Sequence, residues 1–261
     1  MKLACQEGMV PGSCLEERLD KLAQFGYEGI ELSGGGLSGR KAEILKATTG
    51  RPVKVSSICA GFRGYLVDSD KTQRNLAVSD IKDLLSLGAE LGALGLIFVP
   101  IFGGPKIPDL SPFASAEHLE REVLVPLMAD IGEHATKVGC TLLLEPLNRY
   151  ETHLVKTLKD GVRICERVNC PRVKIMADFF HMSIEERNVA ESIEEAGSWI
   201  AHVHLADSTR MLPGYGHTDW AAGIAALKKI GFRGYMAMEC GIPGDAEVEL
   251  KKSADLLKAL I

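Results

Sequence analysis

The sequence predicts a (β/α)8 barrel in one domain, residues 1–261. Three observations lead there. A joint of helix end, glycine and apolar strand recurs at "LAQFGYEGIEL" (22–32), "AELGALGLIFVP" (89–100), "HATKVGCTLLLEP" (134–146) and "LKKIGFRGYMAME" (227–239). Glycine just past a helix end takes the left-handed conformation that closes it. The short apolar run after it reads as the next strand, and the repeat marks alternating αβ units on a parallel sheet. The length of 261 residues also suits such a barrel, which runs to about 250 residues. An open doubly wound sheet usually carries a glycine-rich phosphate loop after its first strand, and "CQEGMVPG" is a poor one.

Taken in order, the strands fall at 3–6 ("LACQ"), 29–32 ("GIEL"), 53–59 ("VKVSSIC") and 95–99 ("GLIFV"). They continue at 141–145 ("TLLLE"), 174–178 ("KIMAD"), 201–205 ("AHVHL") and 235–239 ("YMAME"). Each is a short apolar or alternating run. Helical stretches lie between them, among them 73–91, 115–138 and 158–168.

Composition narrows the class. The chain is 46% hydrophobic and 25% charged, ordinary for a soluble globular protein. Its core is large enough to need no disulfide or metal staple for folding. A net charge of -5 leaves no whole-molecule footprint for nucleic acid. The seven cysteines are scattered, with no C-x-x-C, which points to reduced thiols and a cytoplasmic protein. The N-terminal apolar run is too short for a signal peptide. No run of about 18 apolar residues would cross a membrane.

The late strands end in chemistry. Strand five ends at Glu145, strand six at Asp178, strand seven carries His204, and strand eight ends at Glu239. Carboxyl ends of barrel strands converge on one face, where active sites sit. Side chains alternate along a strand, so Glu145 shares a side with Leu143 and Asp178 with Met176. If that side is inward, three carboxylates and an imidazole meet. Each could instead be a separate solvated strand-end charge; four at one end of successive strands argue for a common purpose. Carboxylates so gathered repel unless a cation compensates. The set, mostly oxygen, expects one divalent ion: Mn first, with Mg, Co or Zn possible. His202 lies a layer deeper, with a role behind the metal ligands or in the core.

The stretches "LLLEPLNRYETH", "ADFFHMSIEE", "HVHLADSTRMLPGYGHTDW" and "MAMEC" resemble the xylose-isomerase-like TIM barrels, and within them the ketose 3-epimerases of the D-tagatose, D-psicose and L-ribulose type. The likeness runs over 141–240; before that only the barrel pattern agrees. It implies that Glu145, Asp178, His204 and Glu239 bind one metal. It also implies that Glu151, His181 and Arg210 hold the C1–C2 end of a ketose. Glu145 and Glu239 would be acid and base for C3 epimerisation through a cis-enediolate. The expected partner is a small sugar, with no nucleic acid or membrane, in a homodimer or homotetramer.

Sibling reactions on the same metal stay open: hydroxypyruvate isomerase, inosose dehydratase or sugar-phosphate epimerase. A phosphate would need a basic or amide-rich cradle opposite the metal, and no clear one stands out, although "FGGP" (102–105) could offer backbone N–H groups. An apurinic endonuclease would need extra histidines, and strands three and four end in "SICAGF" and "FVPIFGG". A non-catalytic sugar-binding barrel is the remaining alternative. His153 is expected as a solvated loop histidine, and Trp220 as the start of a core-facing helix. His217 and Asp219 are expected to be structural rather than rim contacts. The ends of strands one and three should line the other half of the pocket.

Overall fold

The computed structural model describes residues 1–261. Eight parallel strands close into a barrel in chain order. They are β1 (Lys2–Gln6), β2 (Gly29–Ser33), β3 (Lys54–Cys59), β4 (Gly95–Phe98), β5 (Thr141–Leu144), β6 (Val173–Asp178), β7 (Ile200–Leu205) and β8 (Tyr235–Met238). Closure pairs Leu3 with Met236 and Ala4 with Ala237. The sheathing helices are α1 (Leu15–Phe25), α2 (Lys41–Thr48), α3 (Lys71–Leu91), α4 (Ala116–Val138), α5 (Leu158–Val168), α6 (Phe179–Glu185), α7 (Val189–Ala196), α8 (Trp220–Lys229) and α9 (Ala246–Lys258). The expected (β/α)8 barrel is the observed one.

The recurrent joint does what its chemistry requires. Gly92 (φ 76°) and Gly139 (φ 84°) sit in the left-handed region after α3 and α4. The Gly92 N–H closes its helix on the Ala89 and Gly88 carbonyls. Each chain then turns directly into β4 or β5.

Apolar side chains divide into two bodies. A large core fills the space between strands and helices. A small separate cluster, Ile97, Leu143 and Met176, plugs the barrel lumen. Leu143 and Met176 therefore face inward, and so do Glu145 and Asp178 two residues further along. Truncating Leu143 to Ala would cost about 2–5 kcal/mol and open a void beneath the mouth.

Three strands end one residue short of the expected bounds, β4 at Phe98 among them. β5 stops at Leu144 and β8 at Met238, so Glu145 and Glu239 stand just beyond the ladder. The Glu145 N–H still donates to the Phe98 carbonyl at 3.1 Å, which holds the residue on the rim. β7 carries a register irregularity beside β6: Ile175 pairs with Ile200, then Met176 with His202. That extra residue brings His202 and His204 onto the inner side.

Trp220 opens α8, buried against Phe179 with ring centroids 4.9 Å apart. Asp219 caps that helix through the Ala222 N–H. Both match the structural roles read from the sequence. No helix is long and apolar enough to cross a membrane. All seven cysteines are free thiols.

Candidate active site

The four strand-end residues meet. One ligand atom each from Glu145, Asp178, His204 and Glu239 lies within 4.8 Å of the others. His204 Nδ1 is 3.6 Å from Glu145 Oε1, 3.7 Å from Asp178 Oδ2 and 3.1 Å from Glu239 Oε2.

Three of the four residues are held by one atom and present another. Asp178 Oδ1 caps α6, accepting the Phe180 and His181 N–H groups at 2.7 and 3.3 Å. Its Oδ2 has no hydrogen-bond partner. His204 Nε2 bonds Glu31 Oε1 at 2.9 Å, which leaves a buried, unpartnered Nδ1. Glu239 Oε1 accepts from Gln6 Nε2 at 2.8 Å, with Oε2 toward the centre. Glu145 Oε1 is also buried without a partner. Three orphaned buried atoms around one point are costly in any protein unless something satisfies them. A divalent cation fits: the donors are three carboxylate oxygens and one imidazole nitrogen.

The electrostatics agree. Burial pushes the Glu145 carboxyl up to about 7, and the neighbouring Glu239 and Asp178 charges add to the rise against the pull of His204. Burial works against charge on His204, but Glu31, Glu239, Asp178 and Glu145 outweigh it and push the imidazole well above its ordinary value. The acid cluster thus demands positive charge at its centre.

Glu31 is the residue that sequence reasoning missed. It is buried on β2 and takes His202 Nε2 at 3.0 Å and Ser57 Oγ at 2.6 Å on its other oxygen. Burial opposes its ionisation, yet the two imidazoles outweigh it and hold its carboxyl well below the usual range. Glu31, His202 and His204 form a second group with metal-ligand geometry. Their facing atoms are already hydrogen-bonded to each other, so this group supports the site from below. A carboxylate behind a histidine fixes which ring nitrogen carries the proton.

Glu151, His181 and Arg210 gather at the rim. Arg210 Nη1 lies 3.6 Å from Glu151 Oε1, and Nη2 lies 3.5 Å from Glu239 Oε2. His181 Nδ1 accepts from Asn148 Nδ2 at 2.7 Å, and Asn148 also donates to Glu151 at 3.0 Å. Burial lowers the His181 pKa, so the ring is neutral with its proton on Nε2. That Nε2–H and the Arg210 guanidinium, 3.3 Å apart, are two donors converging beside the cluster. Asn148, inside the quoted "LLLEPLNRYETH", went unassigned in the sequence.

Arg210 is placed by a strained backbone, at φ 55°. Such a conformation costs about 1–3 kcal/mol and persists only where its surroundings impose it. Its N–H donates to the Asp207 carbonyl at 2.7 Å, its carbonyl accepts from Gly241 at 2.8 Å, and its guanidinium covers the Phe180 ring. Asp207 organises the loop with its side chain, accepting the Ser208, Thr218 and Gly214 amides and the Trp220 indole. Burial works against its charge, but these donors prevail and bring the carboxyl down to about 2.

A profile of the family described as "Xylose isomerase-like TIM barrel" matches residues 19–260. The chain belongs to that family. The 3-dehydro-D-guloside 4-epimerase of Escherichia coli (strain K12) is 30% identical over 242 residues, covering 92% of each chain. D-psicose 3-epimerase of Enterocloster bolteae is 28% identical over 240 residues, covering 85% of this chain and 75% of its own. The crystal structure of 3-keto-D-glucoside 4-epimerase from E. coli superposes with a TM-score of 0.90 at 27% identity, over 99% of both chains. These relatives are epimerases, a class of isomerases, and this xylose isomerase-like barrel is an enzyme of that class.

One expectation is corrected. His153 is not a solvated loop histidine. Its Nδ1 lies 2.8 Å from the Gly103 carbonyl, and its Nε2 bonds the buried Glu120 carboxylate. It ties the loop after β4 to the loop after β5. In "FGGP" the Gly103 N–H is already taken, donating to the Glu151 carbonyl at 2.8 Å. The ends of β1 and β3 line the mouth as expected, through Gln6, Glu7, Cys59 and Ala60.

Proposed function

We propose that the protein is a metal-dependent sugar epimerase that inverts a hydroxyl-bearing carbon next to a ketone. The observation that carries this is the pairing of Glu145 and Glu239. They come from β5 and β8 and flank the same His204 nitrogen, 3.6 and 3.1 Å away. Their surroundings differ. Glu145 is shut in, with only its neighbours' side chains around its carboxylate. Glu239 is partly exposed beside Gln6 and Arg210.

One carboxylate removes the proton from the carbon beside the carbonyl. The other returns a proton from the opposite face. His181 Nε2–H and Arg210 donate to the substrate oxygens that gain charge, while Glu151 accepts from a neighbouring hydroxyl. Glu145, Asp178, His204 and Glu239 would hold the divalent ion, Mn first among Mn, Mg, Co and Zn. When bound, it would act as a Lewis acid on the ketone. The seven free thiols fit a cytoplasmic setting.

This chemistry serves two substrates alike. One is a ketose inverted at C3, which the motif resemblance favours. The other is a 3-keto-glycoside inverted at C4, as in the full-length E. coli relative. The test is turnover of both kinds after chelation and after Mn is restored, with products assigned by NMR. Metal-dependent inversion beside the ketone supports the reading. No inversion of any ketone-bearing sugar overturns it.

A further inference from the structure

The mouth of the barrel has two lobes. The first adjoins the reaction centre and is walled by Phe62, Val99, Phe102 and Leu147, with the clamp residues Glu151, His181 and Arg210 at its edge; it encloses about 150 Å3. The second lies over the ends of β1, β2 and β3 and encloses about 530 Å3. Cys59 and Ala60 line both lobes. At their border Gln6 Nε2 bonds Glu31 at 3.1 Å and Glu239 at 2.8 Å. The larger lobe alone falls within the roughly 300–1,000 Å3 of a small-molecule site.

Its surface is polar and charge-balanced. Glu7, Arg18, Arg40, Gln6, Ser33 and Gly8 line it. Arg40 clasps the Glu7 carboxylate with two nitrogens at 2.8 and 2.7 Å, and Arg18 adds a third contact at 3.1 Å. Arg40 also bonds Glu43. Two guanidinium groups thus face two carboxylates, and no cationic excess remains for a phosphate. Arg18 Nε is buried with no acceptor. Fixed donors and acceptors of both signs suit hydroxyl groups.

Geometry sets the direction. The clamp comes from the loops after β5, β6 and β7. A sugar whose ketone side lies in it, with its reacting carbon at Glu145 and Glu239, sends its far end past Cys59 into the second lobe. We infer that this lobe binds a neutral, hydroxyl-rich unit joined to the reacting ring, so that the substrate is a keto-sugar glycoside of disaccharide size rather than a free ketose. The inference rests on the epimerase reading and specifies its substrate.

The test compares kcat/KM on 3-keto-cellobiose, methyl 3-keto-glucoside and D-fructose for the Mn-loaded protein. It repeats the comparison in Gly8→Trp and Ser33→Phe, which place bulk in the lobe. Gly8 is exposed, and a Cβ there meets nothing within 4 Å. Ser33 is exposed at the end of β2. The disaccharide is expected to exceed the methyl glycoside by about tenfold or more, because remote binding energy raises transition-state affinity. Each variant should bring that ratio toward one. Equal turnover of the two in the parent protein, or a ratio untouched in both variants, overturns the inference even if D-fructose is epimerised. Calorimetry with 3-keto-cellobiose separates the two claims. Binding that Gly8→Trp abolishes, with no turnover of any sugar, would keep the lobe and sink the epimerase. Absence of binding would overturn the lobe.

Discussion

Glu31 Oε1 sits 2.9 Å from His204 Nε2, and this contact turns the other nitrogen of the ring toward three carboxylates. A proton held on the Glu31 side would leave the Nδ1 lone pair for the proposed metal. Glu31→Gln should therefore weaken Mn binding by about 10–100-fold, the usual effect of losing a carboxylate behind a metal-bound histidine. Chelator competition measures it. Unchanged affinity in a folded Glu31→Gln protein would mean that Glu31 does not orient His204.

The proposed function assigns metal and substrate to different residues. Arg210→Ala removes a donor from the rim while leaving all four cluster residues in place. Its kcat/KM should fall by roughly 10²–10³-fold, as for loss of a preorganised donor, with metal content near that of the parent. His204→Ala should lose the metal itself. Elemental analysis of both purified variants decides, and equal metal loss in the two would refute the division of labour.

Asp207 makes stability depend on acid. Its folded pKa of about 2 lies below the ordinary 3.8. Its contribution is therefore complete above the unfolded value and is lost as pH falls through the folded one. The shift corresponds to about 2 kcal/mol. Asp207→Asn, which cannot accept from all the same donors, should be less stable in urea at pH 6. The gap to the parent should narrow between about pH 5 and pH 3. A gap constant across that range would show that the Asp207 charge does not hold the loop.

Much of this was legible in the chain. The glycine joints marked the strands, and strand alternation put Glu145, Asp178, His204 and Glu239 on one side of the barrel wall. Legibility ended where a role depends on a neighbour across the barrel. Glu31 is paired with His202 and His204, 171 and 173 residues away. Its only local sign was a carboxylate between Ile30 and Leu32 in a buried strand. Gln6 reaches Glu239 over a separation of 233. His153 read as solvated because its partner Glu120 lies on α4, where a glutamate ordinarily faces water. Asp207 and Asn148 look like common loop residues until the amides they gather are seen.

The central claim is proton exchange beside a ketone by two carboxylates, and turnover in heavy water tests it most directly. The Mn-loaded protein should invert the carbon next to the ketone and place deuterium on that carbon, because the returning proton comes from a group that exchanges with solvent. Glu145→Gln and Glu239→Gln, in samples shown to retain metal, should lose inversion while one of them still exchanges the proton from a single face. Deuterium at C1 with an aldose product would instead make the protein an aldose–ketose isomerase, and inversion without deuterium would contradict the two-carboxylate account outright.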